Sequence, residues 1–238
     1  MSAHNSRKSA APGVVTTALM IAGRDLRIEL RARVVTNQVI PFAAVTMVLF
    51  AFAVDDTGLL GRLAPGLIWL TVMFSLLLCA QRAFAIESAD GALEALRVAG
   101  VDPIGIFLGK AMALMAQLLA LSAVMVVAAL VLYDLSPPAA GAVVLVTSVI
   151  CATCALAATG TIYAGLAAGV SGRETLLPLL VLPVVSPVLI GATRAVEAAL
   201  GTGEATVADG WPWVGLLAVV AVASVVIGSL TFGSAIQD

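Results

Sequence analysis

Charge is what this sequence has least of. Only 11% of its 238 residues are Asp, Glu, Lys or Arg, and 61% are hydrophobic, against about 25% charged and about 45–50% apolar in an ordinary soluble domain. That balance excludes a separate water-soluble domain. Twelve basic and 14 acidic residues leave a net charge of −2, without the basic excess that nucleic-acid binding needs. Histidine is nearly missing: the one copy, His4, stands close to the N-terminus. No group of His, Cys, Asp and Glu has metal-ligand spacing, so neither a catalytic nor a metal site is expected. The cysteines are three, an odd count. Cys151 and Cys154 fall inside an apolar run where a neutral thiol packs as a small residue, and Ala155 stands where haem attachment would require His. A nucleotide motif is absent as well. Gly105-x-x-x-Gly109-Lys110-Ala111 is one residue too short for a phosphate loop and has no Ser or Thr after the lysine.

What is present is long apolar runs. A bilayer core of about 30 Å takes about 20 helical residues to cross, and six runs answer that need, near 38–54, 64–80, 111–133, 139–170, 176–196 and 211–233. The expectation is an all-α integral membrane protein: an N-terminal extension over 1–18 expected to be disordered, then one six-helix domain over 19–238. The opening residues are expected to be retained, because their apolar stretch is short and ends without a persuasive cleavage site. Placing loops alternately on two sides puts Arg7, Lys8, Arg24, Arg27, Arg31, Arg33, Arg82, Arg97, Lys110 and Arg173 on one side, and only Arg62 and Arg194 on the other. By the excess of positive charge on cytoplasmic loops, both termini face the cytoplasm. The spans hold almost no ionisable groups, so a proton- or sodium-coupled carrier is disfavoured and any active transport draws on a second polypeptide.

Three segments stand out. Over 19–36, Leu19, Ala22, Leu26, Leu30 and Val34 line one side of a helix, with Arg24, Arg27 and Arg31 on one flank and Asp25 and Glu29 on the other. Such a helix lies along the membrane surface with its arginines toward anionic headgroups. Over 87–103, Asp90 is suited to cap a short helix, Gly100 to end it, and Asp102-Pro103 to start the next. A helix over 91–99, about 14 Å long, is too short to cross a bilayer. It presents Leu93 and Leu96 on one face with Glu94 beside them, as a receiver of motion from a cytoplasmic partner would. An ordered loop satisfies the same residues, and taken alone they favour it. The fifth run carries Pro178, Pro183 and Pro187, each without an amide proton, which predicts a kinked or broken helix and a candidate moving element. Lys110, just before the third run in the helix that opens at Pro103, is expected to snorkel to the interface.

Three stretches together resemble the heme exporter protein B family (CcmB): residues 24–31, Arg-Asp-Leu-Arg-Ile-Glu-Leu-Arg; residues 84–110, from Phe84 through Glu87, Asp90-Gly91 and Leu93-Glu94 to Asp102-Pro103 and Gly109-Lys110; and residues 176–190, with Pro178, Pro183 and Pro187. The resemblance implies an ABC-2-type (type V exporter-like) permease fold in the bacterial inner membrane. It implies that Glu87, Asp90, Gly91, Leu93 and Glu94, with Leu96 on the same face, form the segment an ATPase contacts. It further implies two copies of this chain with two CcmA-like ATPase subunits, a CcmC-like haem-handling membrane protein, a small CcmD-like membrane protein and a CcmE-like periplasmic haem chaperone. ATP would be bound by the partner, no cofactor by this chain, and haem would be the substrate of the complex. The family's output is either haem itself or energy that releases the loaded chaperone, and the lack of histidine in the spans leans toward the second. Met73, Met112, Met115 and Met125 are expected to serve packing. An ABC-2-type permease for a drug, lipid or polysaccharide, and a non-transporting scaffold, remain alternatives.

Overall fold

The computed structural model describes residues 13–33, 35–54, 56–90, 102–167, 173–202 and 204–235. Among these residues the regular elements are all helical: α1 Val14–Ala32, a π-helical turn Val35–Val39, α2 Ile40–Ala53, α3 Thr57–Asp90, α4 Pro103–Leu132, α5 Ala139–Ala167, α6 Arg173–Leu200 and α7 Val207–Ala235. The helices α3 to α7 have 28 to 34 residues each, or about 42–51 Å at 1.5 Å per residue, enough for the hydrocarbon core and both headgroup layers. These five are long and apolar enough to span; α1 and α2, which meet at a 48° bend, bring the number to six if the bent pair is one span. On its own α2 has 14 residues, about 21 Å, and falls short of the core.

The start signals written in the sequence operate as chemistry predicts. The Asp102 carboxylate accepts the Ile104 amide at 2.9 Å and Pro103 takes the first helical position, where no amide partner is lost. The turn between α6 and α7 closes α6 with Gly201 at φ 63°. Its amide donates to the Ala198 carbonyl and that of Thr202 to the Glu197 carbonyl, the paired bonds of a left-handed helix end. The next helix opens with the Thr206 amide and hydroxyl both donating to Asp209, at 2.8 and 2.7 Å.

The small-residue helix α5 sits centrally, packed on α3, α4, α6 and α7. Its Ala152, Ala155, Leu156, Ala157 and Ala158 are at most 1% exposed. Side chains from neighbours fill the notches its glycines leave: Leu76 at Gly160 and Phe232 at Gly165. Buried Ser148, Thr153 and Thr161 donate to carbonyls of their own helix at 2.7–2.9 Å, which satisfies a hydroxyl where no water is present. The outward sides of the bundle are apolar, as at Val124, Val127 and Val131 of α4 and Val219, Val222 and Leu230 of α7. Lipid contact demands that pattern.

Several expectations change. Residues 14–18, read as part of a disordered extension, are helical, and Thr17 and Ala18 are buried. The interfacial helix ends at Ala32, with Arg33 left-handed at φ 51°. Its protein-facing stripe is Thr17, Ala18, Ile21 and Ala22, while Leu19 and Leu30 of the forecast stripe point outward, 56% and 75% exposed. The helix α6 runs unbroken through Pro178, Pro183 and Pro187, because its packing on α5 and α7 holds turns that the missing amides weaken. It also runs on to Leu200, past the end of the apolar run near 196, and leaves only a short turn before Val207.

Candidate functional site

The two ends of the bundle differ in chemistry. At one end Pro103 meets Gly233, and Thr17 packs on Gly105; at the other, Leu135 and Thr202 meet at Gly61. The first end carries Arg24, Arg27, Arg31, Arg82 and Lys110, and the second Arg62 and Arg194. Among the described residues, the alternating assignment made from sequence is therefore a physical separation of basic side chains.

Lys110 organises the basic end. Its side chain is 1% exposed, and its Nζ donates to the Ala83 carbonyl of α3 at 2.7 Å and to Asp25 Oδ2 of α1 at 3.3 Å. Asp25 in turn accepts from Arg24, at 2.9 and 3.0 Å. The expectation that Lys110 snorkels to the interface is thus corrected, because an acid and a backbone carbonyl reach it inside the protein. The Ala83 carbonyl has the lone pair to spare that a helical C=O keeps after its own backbone bond. Burying an ammonium is costly unless it is paired, and this pairing fastens α1, α3 and α4 at one point.

Glycine makes the approach possible. A Cβ on Gly105 would lie 2.9 Å from Thr17, and one on Gly109 would lie 2.7 Å from both the Ala18 carbonyl oxygen and the Ile21 Cβ. Gly105-x-x-x-Gly109, which fails as a phosphate loop, is a seat for α1 of the kind small residues provide between membrane helices. On α1 the bundle side holds Ala18, Ile21, Ala22 and Asp25; Leu19, Leu26 and Leu30 follow on one flank, and Arg24, Arg27 and Arg31 on the other. Protein, apolar and cationic sides thus share one helix.

The residues singled out from sequence distribute as follows. Arg24, Asp25, Arg27, Glu29 and Arg31 all lie on α1. Glu87 and Asp90 occupy the last turn of α3, seven residues or fewer beyond Ala83, and the short helix expected after Asp90 lies outside the described residues. Gly91, Leu93, Glu94 and Leu96 lie outside the described residues. Pro183 and Pro187 are exposed on α6 and Pro178 is half-buried. Of the methionines, Met125 is buried, Met73 and Met115 are partly buried and Met112 is exposed. No group of three or more His, Cys, Asp or Glu gathers among the described residues. The Lys110 junction was not foreseen. Its signal was the lone cation of an apolar helix beside two glycines, with Asp25 as the acid on the same helical stripe as Ala18, Ile21 and Ala22.

A helical bundle with five or six apolar spans, basic side chains at one end and apolar outer faces is an integral membrane protein of the multi-pass permease type. The family profile described as CcmB protein matches residues 16–238. Among curated proteins, the heme exporter protein B of Paracoccus denitrificans is 36% identical over 184 residues, 76% of this chain and 81% of that protein. Its counterparts in Rhodobacter capsulatus and Pseudomonas aeruginosa are 32% and 30% identical over 74% and 76% of this chain and 81% of their own lengths. The chain belongs to the CcmB family.

Proposed function

We propose that this chain is the membrane subunit of a haem export system, moved by an ATPase that binds the segment between α3 and α4. What carries the reading is the family match over residues 16–238 and the name of the relatives, heme exporter protein B. The chain has no nucleotide motif of its own, so ATP hydrolysis resides on a CcmA-like partner, and two copies of each make an ABC-2-type exporter of the bacterial inner membrane. Both termini face the cytoplasm, as does the basic end of the bundle.

The Lys110 junction supports a route for the motion. Helix α3 leads into the coupling segment and α4 leads out of it, and Lys110 ties both to α1. A push on Gly91, Leu93, Glu94 and Leu96 therefore moves three helices together. The arginine flank of α1 rides on the headgroups and keeps the level of the bundle in the bilayer. The output is haem export or release of the loaded chaperone, with CcmC-like, CcmD-like and CcmE-like partners.

The test is a Leu93→Asp, Leu96→Asp double variant. Two buried leucines contribute about 3–6 kcal/mol in gross transfer terms, so the variant should insert normally and lose the ATPase in a membrane pull-down. Undiminished co-purification removes the coupling assignment.

A further inference from the structure

The other end of the bundle holds a cleft that the coupling reading does not use. It is about 480 Å³ in volume and lies between α3 and α6, lined among others by Arg62, Gly66, Trp69 and Met73 from α3 and by Ile190 and Arg194 from α6. Arg62 and Arg194 are the two basic residues that charge counting left alone on this side. They are 132 positions apart in sequence, yet they border one cleft. Chance would scatter two cations over an end whose other charges include Asp56, Asp134, Glu204 and Asp209.

The cleft is polar at one end and apolar at the other. The helices run antiparallel, so Arg62 on α3 and Arg194 with Glu197 on α6 lie at the rim, while Met73 and Leu189 lie deeper. From Arg62 to Met73 the helix descends about 16 Å, half of a hydrocarbon core of about 30 Å. Arg194 pairs with Glu197 at 2.8 Å and stays 59% exposed. Arg62 is exposed and forms no ion pair among the described residues. Trp69, in the wall, is 1% exposed, and its Nε1–H has no acceptor among the described residues, a costly state for a buried donor. At Gly66 a Cβ would meet nothing, so the missing side chain is not explained by helix packing; its absence leaves the cleft open.

We infer that this cleft binds an anionic amphiphile, a molecule with carboxylate or phosphate groups on an apolar body, its anion held by Arg62 and Arg194 and its body laid along Gly66, Trp69, Leu70 and Met73. Guanidinium groups suit both anions because their forked donors match paired oxygens. Two sources share this chemistry: an anionic phospholipid of the adjacent leaflet, and haem, whose flat apolar ring carries two carboxylates. The inference stands on the cleft and does not require the ATPase.

The experiment uses the full chain in nanodiscs of zwitterionic lipid, with Trp211→Phe and Trp213→Phe so that Trp69 is the sole tryptophan of the three. Haemin and a short-chain phosphatidylglycerol are titrated separately while Trp69 emission is followed. Saturable binding is expected, weakened at least about tenfold in Arg62→Gln, Arg194→Gln, as the loss of charge-assisted hydrogen bonds requires, and partly kept in Arg62→Lys. Gly66→Leu should fill the cleft and abolish binding without lowering thermal stability. Saturation by haemin alone assigns the cleft to haem, by phosphatidylglycerol alone to lipid, and mutual competition to their common chemistry. Binding of neither probe, or binding indifferent to both arginines and to Gly66, overturns the inference. The ATPase pull-down is blind to these changes, so failure here is separable from failure of the coupling reading.

Discussion

Lys110 and Asp25 make the sharpest case at the scale of single residues. Removing one partner of a buried pair weakens what holds the other charge, at a cost of up to about 3–5 kcal/mol, whereas replacing both by apolar groups is often neutral. Asp25→Ala should therefore lower the thermal midpoint of the detergent-solubilised protein by many degrees, and Lys110→Met with Asp25→Leu should restore most of it. If the double variant is no better than the single one, the pair is not what holds the junction. This site shows where sequence reading stops. Asp25 was legible as a polar residue of an amphipathic helix and Lys110 as the odd cation of a span, but 85 positions separate them, and periodicity says nothing of which helix turns toward which.

Helix α1 is a bound element, seated mainly on α4. A Cβ at Gly109 would meet the Ala18 carbonyl oxygen and Ile21 at 2.7 Å, and backbone cannot step aside as a side-chain tip can. Gly109→Val should lift α1, so that trypsin cuts at Arg24 and Arg27 several-fold faster while α3 to α7 stay intact. Gly66→Ala, where the new methyl meets nothing, is the control and should change nothing. For α6 the unbroken path through Pro183 and Pro187 forgoes two backbone hydrogen bonds. Restoring them by Pro183→Ala, Pro187→Ala should raise the thermal midpoint; if the helix bends in the transport cycle, ATP hydrolysis should persist while export falls. Equal export with a raised midpoint leaves the prolines a shaping role only. Element existence was readable from apolar run length for α3 to α7. The C-terminal ends of α3 and α6 were not: both extend past their apolar windows because polar residues at 81–90 and 193–200 are as helix-compatible as those before them.

For the whole molecule the question is which end faces which compartment. The geometry places Arg24, Arg27, Arg31 and Lys110 together, away from Arg62 and Arg194, and positive charge is held on the cytoplasmic side. Single cysteines at Asp56 and Glu204, in a background without Cys79, Cys151 and Cys154, should react with an impermeant maleimide added outside intact cells. A cysteine at Glu94 should be protected until the membrane is opened. Strong labelling at Glu94 from outside would falsify the orientation. The number of spans was read as six. Among the described residues the structure has five helices that pass as spans alone and joins the first apolar run, α2, to α1 at a 48° bend, a bend that follows from the left-handed Arg33 and the π-helical turn at Val35–Val39, neither of which any hydropathy count contains.

The Lys110 junction also sets an order of events at the ribosome. Synthesis proceeds from the N-terminus at about 5–20 residues per second, so Asp25 and the Ala83 carbonyl emerge before the lysine that needs them. A nascent α4 arriving at the membrane finds its counter-charge already waiting on α1, and its ammonium need not be buried unpaired. Chains deprived of α1 should then stall when α4 inserts, long after the deleted segment would have been made.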